Sequence, residues 1–218
     1  MRDQFLDSLG SHPTIAGIKD GHGLKTALHS PCKAVFLLYG SILNLADIVQ
    51  QLKAAGKIVF INVDLIDGLS QKEVAVDFVK KTTTADGILS SKAPLIKAAK
   101  AQKLLAIHRF FLIDSFSYHN VAKLAELSKP DCIEIMPGCM PKVISWVVQA
   151  VPIPLIAGGL VCDHEDAAAA MKAGAVAISS TNVSVWSFSG IGGARPRDRR
   201  TGRVIWTAEN AKSTVGQP

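Results

Sequence analysis

The feature that most limits what this chain can fold into is a regular alternation that runs to about residue 182. Short aliphatic runs occur at 14–18 (TIAGI), 34–39 (AVFLLY), 58–63 (IVFINV), 87–90 (GILS), 104–108 (LLAIH), 132–136 (CIEIM), 153–157 (IPLIA) and 176–180 (VAISS), eight in all. Near-continuous apolar runs of this length predict strands covered on both faces, as in a parallel sheet. The stretches between them have helical character. Residues 44–56 offer Asn44 as an N-cap and Gly56 as a stop. Residues 71–83 place Val74, Phe78 and Val79 along one face, and 93–102 carry a proline in the first turn. Residues 117–129, 141–151 and 164–174 complete the set, and 21–30 can hold only a short helix. Strand-helix alternation with short joints requires parallel crossovers. Eight units predict an α/β chain closed into a (β/α)8 TIM-like barrel; an open α/β sheet is the alternative. The chain is short for such a barrel, so its helices are expected to be short or partly missing.

The 218 residues suit one domain with a tail, set here at 1–186 and 187–218. No apolar run approaches the ~18 residues of a membrane span, and MRDQFLDSLGSHPT is too polar for a signal peptide. A cytoplasmic protein without membrane partners is expected. Cys32, Cys132, Cys139 and Cys162 lack C-x-x-C spacing and predict buried free thiols rather than a disulfide or a metal site. The formal charge of +6 sits mostly in the tail. Arg195, Arg197, Arg199, Arg200, Arg203 and Lys212 face only Asp198 and Glu209 there, and the other 186 residues carry +2. Gly, Arg and Ser dominate the tail, a composition that favours poor order.

In a (β/α)8 barrel the loops after the strands build the functional face. Here every apolar run hands over to a polar residue or a glycine: Lys19, Gly40, Asp64, Ser91 with Lys92, Arg109, Glu134 with Gly138, Gly158 with Gly159, and Ser180 with Thr181 and Asn182. A phosphate needs close backbone N–H groups and hydroxyl donors, which bare glycines and Ser/Thr supply. Gly158-Gly159 ends the seventh run and Ser180-Thr181 the eighth, where barrels commonly hold phosphate. A tight turn is the alternative explanation of the glycines. Asp64 and Glu134 are placed to accept hydrogen bonds from alcohols or to act as acid and base. Lys92 and Arg109 are placed to attract an anion, or to pair internally with those carboxylates. His108 stands beside Arg109 at a strand end; the other histidines read as surface or packing residues. No Walker loop, G-x-G-x-x-G fingerprint, Ser-His-Asp order or RNA-binding module is present.

The ordered set AVFLLYGSILNLADIVQQLKAAGK (34–57), VDLIDGLS (63–70), VDFVKKTTTADGILSSK (76–92), HRFFLIDS (108–115), KPDCIEIMPGCMPKVI (129–144), IPLIAGGLVCDHED (153–166) and AGAVAISSTNVSVW (173–186) resembles the glycerol uptake operon antiterminator regulatory family. The resemblance implies a TIM-like barrel in a cytoplasmic bacterial regulator. It also implies glycerol 3-phosphate as effector, no cofactor, and action on the leader mRNA of glycerol operons. The chain departs from the family pattern at Asn62, where histidine is usual, at Asp67 (glutamate) and at His108 (glutamine), and in its extra tail. ARPRDRR in that tail is suited to RNA phosphates, or is a solvated extension. Two functions compete. One is a ligand-responsive, RNA-binding regulator, with a homo-oligomer as a candidate form of its binding state. The other is a barrel enzyme, an isomerase or lyase, on a small phosphorylated substrate, using Asp64, Glu134 and Lys92.

Overall fold

A computed structural model describes residues 1–191. The eight expected runs form eight parallel strands: β1 (Thr14–Ile18), β2 (Ala34–Leu37), β3 (Ile58–Asn62), β4 (Gly87–Ser90), β5 (Leu105–Phe111), β6 (Cys132–Met136), β7 (Leu155–Gly158) and β8 (Ala177–Ser180). They pair in chain order, and β1 also pairs with β8 through Thr14↔Ile178, Ile15↔Ser179 and Ala16↔Ser180. That last ladder closes the barrel and rules out the open sheet. It also leaves no unpaired strand edge.

Seven helices connect the strands: α2 (Gly21–His29), α3 (Leu45–Ala54), α4 (Val74–Thr82), α5 (Ala93–Ala101), α6 (Ser115–Ser128), α7 (Pro141–Ala150) and α8 (His164–Lys172). All but α6 have nine or ten residues, as the short chain requires. After β8 the described chain holds only a 3-10 helix, Val183–Ser187. One element has no counterpart in the sequence reading: α1 (Arg2–Ser11) lies before β1. Its Phe5, Leu6 and Leu9 pack into the barrel interior with Ile15, Phe36, Phe60, Leu89 and Ile107. The Phe5 and Phe60 rings stand 4.7 Å apart. The helix is therefore the plug at the end where the strands begin.

Some local expectations shift. Val74 is exposed, and α4 buries Ala75, Val76 and Val79 instead. The face turned to the barrel is thus 75, 76 and 79, with Phe78 half-buried at its edge. Asn44 precedes α3, but its side chain accepts from the Ser41 amide at 2.8 Å and not from the helix. Cys32 and Cys132 are buried thiols, whereas Cys139 is half-buried and Cys162 exposed, because the latter two lie in loops after β6 and β7. Packing does not stop at Trp186. Its indole N–H donates to the Ser180 carbonyl at 2.8 Å, and the Phe188 carbonyl accepts from Thr14 Oγ1 at 2.9 Å. The tail from residue 192 onward lies outside the described residues.

Candidate functional site

Side chains alternate along a strand, so every second residue faces the barrel interior. Near the C-terminal ends this layer turns from apolar to polar. Glu134 of β6 is fully buried at its centre. Its Oε2 accepts from Arg109 Nε at 2.6 Å, and its Oε1 accepts from Ser179 Oγ at 2.6 Å. The register makes these contacts direct, since Arg109 pairs with Glu134 across β5 and β6 and Ser179 pairs with Gly158 across β7 and β8. A carboxylate removed from water is tolerable only with such partners. Among the described residues, Nε is the donor by which Arg109 is tied to the protein. The remaining N–H groups of its planar fork are suited to an oxyanion.

The glycine pair has a physical reason within this layer. A Cβ on Gly158 would sit 2.4 Å from Glu134 Oε1 and 2.6 Å from Ser179 Oγ, so only glycine leaves room for that pair. Gly159 has φ +69°, and Leu160 follows at φ +55° although it is a branched, exposed residue. A non-glycine residue held in the left-handed region stores of order 1–2 kcal/mol. Gly138, in the loop after β6, lies against β7: its amide donates to the Gly159 carbonyl at 2.8 Å, and a Cβ would be 2.7 Å from the Gly158 nitrogen. The loop after β7 is thus drawn tightly over the buried pair.

The rim residues divide into groups. Thr181 is exposed, and its Cγ2 would be 3.1 Å from a Cβ on Gly17 of β1. The β1–β8 register therefore carries the exposed Lys19 to the same side of the mouth as Thr181 and Gly159. Ser180 points the other way, and its Oγ donates to the Val161 carbonyl at 2.8 Å. Of the adjacent serines, Ser179 reaches the interior; strand alternation is the signal that separates them. The α8 N-terminus is closed by its own acids, with Asp163 accepting from the Asp166 amide and Asp166 from the Cys162 amide.

Asp64 and Lys92 stand on the other side, after β3 and β4. Asp64 Oδ1 accepts from Ser90 Oγ at 2.7 Å, and its Oδ2 accepts from the Ser91 amide at 2.6 Å and Ser91 Oγ at 2.9 Å. Lys92 precedes α5 and donates to Gln71 Oε1. These contacts brace the β3 and β4 loops together, and neither residue touches Glu134. Asn62 is buried at the end of β3 and accepts from the Asp64 amide at 3.1 Å. Asp67 is exposed on a bridge to Ser41.

His108 is not at a strand end. It lies in the middle of β5, fully buried, with Nδ1 2.9 Å from Ser128 Oγ on α6 and Nε2 3.3 Å from the Ser91 carbonyl. Burial lowers its pKa to about 4. It is a neutral packing residue on the outer face of β5, away from the cup. Among the described residues no cluster of three or more His, Cys, Asp or Glu side chains is arranged for a metal. No helix there is long and apolar enough to cross a membrane.

The model of the family described as "Glycerol-3-phosphate responsive antiterminator" matches residues 14–186, which contain the whole barrel and all of these site residues. The uncharacterized protein YgcP of Escherichia coli K12 is 51% identical over 185 residues, covering 85% of this chain and 97% of the relative. The crystal structure of the glycerol uptake operon antiterminator regulatory protein from Listeria monocytogenes is 32% identical, with a TM-score of 0.75 over 78% of this chain and 91% of that one. A glycerol uptake operon antiterminator-related protein from Thermotoga maritima is 34% identical, with a TM-score of 0.71 over 80% and 98%. An aldolase barrel from Aeropyrum pernix, at 13% identity and a TM-score of 0.63, shares the fold alone. The chain belongs to the glycerol-3-phosphate responsive antiterminator family.

Proposed function

We propose that this protein is a glycerol 3-phosphate sensor that acts on the leader mRNA of glycerol-utilisation operons and prevents premature termination. The observation that carries the ligand half of this reading is the buried Arg109–Glu134–Ser179 layer beneath the Gly158-Gly159 loop. In this reading the phosphate lies at the rim between Gly159, Thr181 and Lys19. The polyol backbone extends inward, where the open N–H groups of Arg109 donate to its hydroxyl oxygens, while Lys19 and the loop amides supply donors for the phosphate oxygens. Asp64 and Lys92 hold the β3 and β4 loops in place at the mouth.

The same geometry weighs against the barrel-enzyme reading. Both oxygens of Glu134 and both of Asp64 already accept hydrogen bonds from the protein. A carboxylate engaged in this way is a brace rather than a poised proton acceptor.

Calorimetric titration with glycerol 3-phosphate tests the reading, with inorganic phosphate and glycerol as controls. A saturable heat that returns to baseline is expected for the ester and weaker or no heat for each fragment. Gly159→Val should abolish it, because a β-branched residue cannot adopt φ +69° without strain. Heat that continues between injections would mean turnover and restore the enzyme.

A further inference from the structure

We propose that the end of the barrel opposite the ligand mouth, where the strands begin, is the surface that holds RNA. This rests on the RNA-binding reading above and adds where the RNA lies. The chain's charges are segregated along the barrel axis. At the strand-start end, built by α1, the last helical turns and the turns into the strands, residues 1–191 place ten basic and five acidic side chains. At the mouth, in the first helical turns and the loops after the strands, they place five basic and eleven acidic ones. A polyanion is repelled from the mouth and drawn to the opposite end.

Helix dipoles account for part of this pattern. All barrel helices run the same way, and cations stabilise their C-termini. They do not account for which residue sits in the turns. The left-handed position between α3 and β3 is Gly56 (φ +72°), and between α8 and β8 it is Gly174 (φ +108°). In the α5–β5 turn that position is Lys103 (φ 59°), and in the α6–β6 turn the left-handed residue is Lys129 (φ 48°), the first after the helix. An L residue is strained there and glycine is not. The chain therefore accepts strain to keep two cations at this end. Both are exposed and neither is in a salt bridge among the described residues.

The remaining cations sort by whether they are occupied. Lys53 pairs with Asp86, Lys100 pairs with Asp131, and Lys57 donates to the Ser30 and Cys32 carbonyls. Lys33, Lys80, Lys81 and Lys172 are exposed at the same end as Lys103 and Lys129 and make no such contact among the described residues. The chain also leaves the barrel at this end. The Phe188 carbonyl accepts from Thr14 at the start of β1, and Gly190 lies against Pro13. The sequence that continues from there has six basic and two acidic residues. The residues that follow in sequence thus carry the same sign of charge as the lysine face.

The test is fluorescence anisotropy of a labelled mixed-sequence RNA oligonucleotide with the full chain, across a salt series. Lys103→Gly/Lys129→Gly should weaken binding by about tenfold at low salt and lower the slope of log K against log salt by about 0.7 per lysine. The thermal midpoint should hold or rise, because glycine relieves the turn. If that variant does not fold, Lys33→Ala/Lys81→Ala/Lys172→Ala reads the same face. Lys72→Ala/Lys142→Ala at the mouth should leave binding unchanged, and saturating glycerol 3-phosphate should not displace the RNA.

Unchanged affinity in the strand-start variants would overturn the proposal, whether the loss appears instead in the mouth variant or in Arg197→Ala/Arg199→Ala/Arg200→Ala. A lower thermal midpoint with unchanged affinity would assign Lys103 and Lys129 to the turns alone and overturn it as well. Displacement of the RNA by phosphatidylglycerol vesicles that bind more tightly would make this a membrane face. No binding by the unmodified protein at low salt, with or without saturating glycerol 3-phosphate, would remove the RNA-binding reading itself.

Discussion

A carboxylate with no exposed surface persists at Glu134 because Arg109 Nε and Ser179 Oγ meet its two oxygens. Arg109→Ala leaves that charge unpaired and should cost about 3–5 kcal/mol in urea unfolding, whereas Arg109→Met/Glu134→Met should recover most of the loss. Gly158→Ala drives a methyl into the held carboxylate oxygen and should cost about 1–3 kcal/mol, measured the same way. His108 makes a pH prediction of definite sign. Its pKa is about 4 in the fold and 6.5 as a free side chain, so the unfolded chain binds more protons between those values. The associated stability is present above about pH 6.5 and is lost as pH falls toward 4, an effect of about 3 kcal/mol. His108→Gln, the residue the family resemblance leads one to expect, should remove that component. The check is the difference between the two proteins' stability–pH curves over this window.

Elements were legible where burial is two-sided. Each of the eight strands is legible because aliphatic runs without polar interruption have few other uses in a chain of this size. The missed element, α1, has its apolar residues at 5, 6 and 9 only, in an otherwise polar segment. That spacing is one helical face, but a lone stripe in ten residues does not say what it packs against. The structure supplies the reason: α1 covers the open end of the barrel. Phe5→Ala should therefore cost about 3–5 kcal/mol in thermal or urea unfolding, as for a buried core ring and not a frayed terminus. The α4 face differs from the sequence pattern for another reason. Val74, Phe78 and Val79 share one helical face in sequence, but α4 lies on the barrel through Ala75, Val76 and Val79, so Val74 is at the surface.

For the whole molecule, sequence order disclosed the barrel and the end that carries the polar cup. It could not disclose which cup residues meet. Arg109 and Glu134 are 25 residues apart and Ser179 lies 45 further on, so their contact depends on barrel closure and register. It also could not show that Asp64 and Lys92 brace neighbouring loops rather than join Glu134, because that depends on loop conformation after β3 and β4. Ser180 and Ser179 were distinguishable by alternation alone, once the end of β8 was known. In the proposed complex glycerol 3-phosphate enters the mouth with its phosphate toward the loops after β7 and β8. A crystal structure of the complex tests it most directly. Phosphate density is expected within hydrogen-bond reach of the Gly159 loop and Thr181, with the glycerol end directed at Arg109. Phosphate bound beside Asp64 and Lys92, or at the lysine-rich strand-start end, would contradict it.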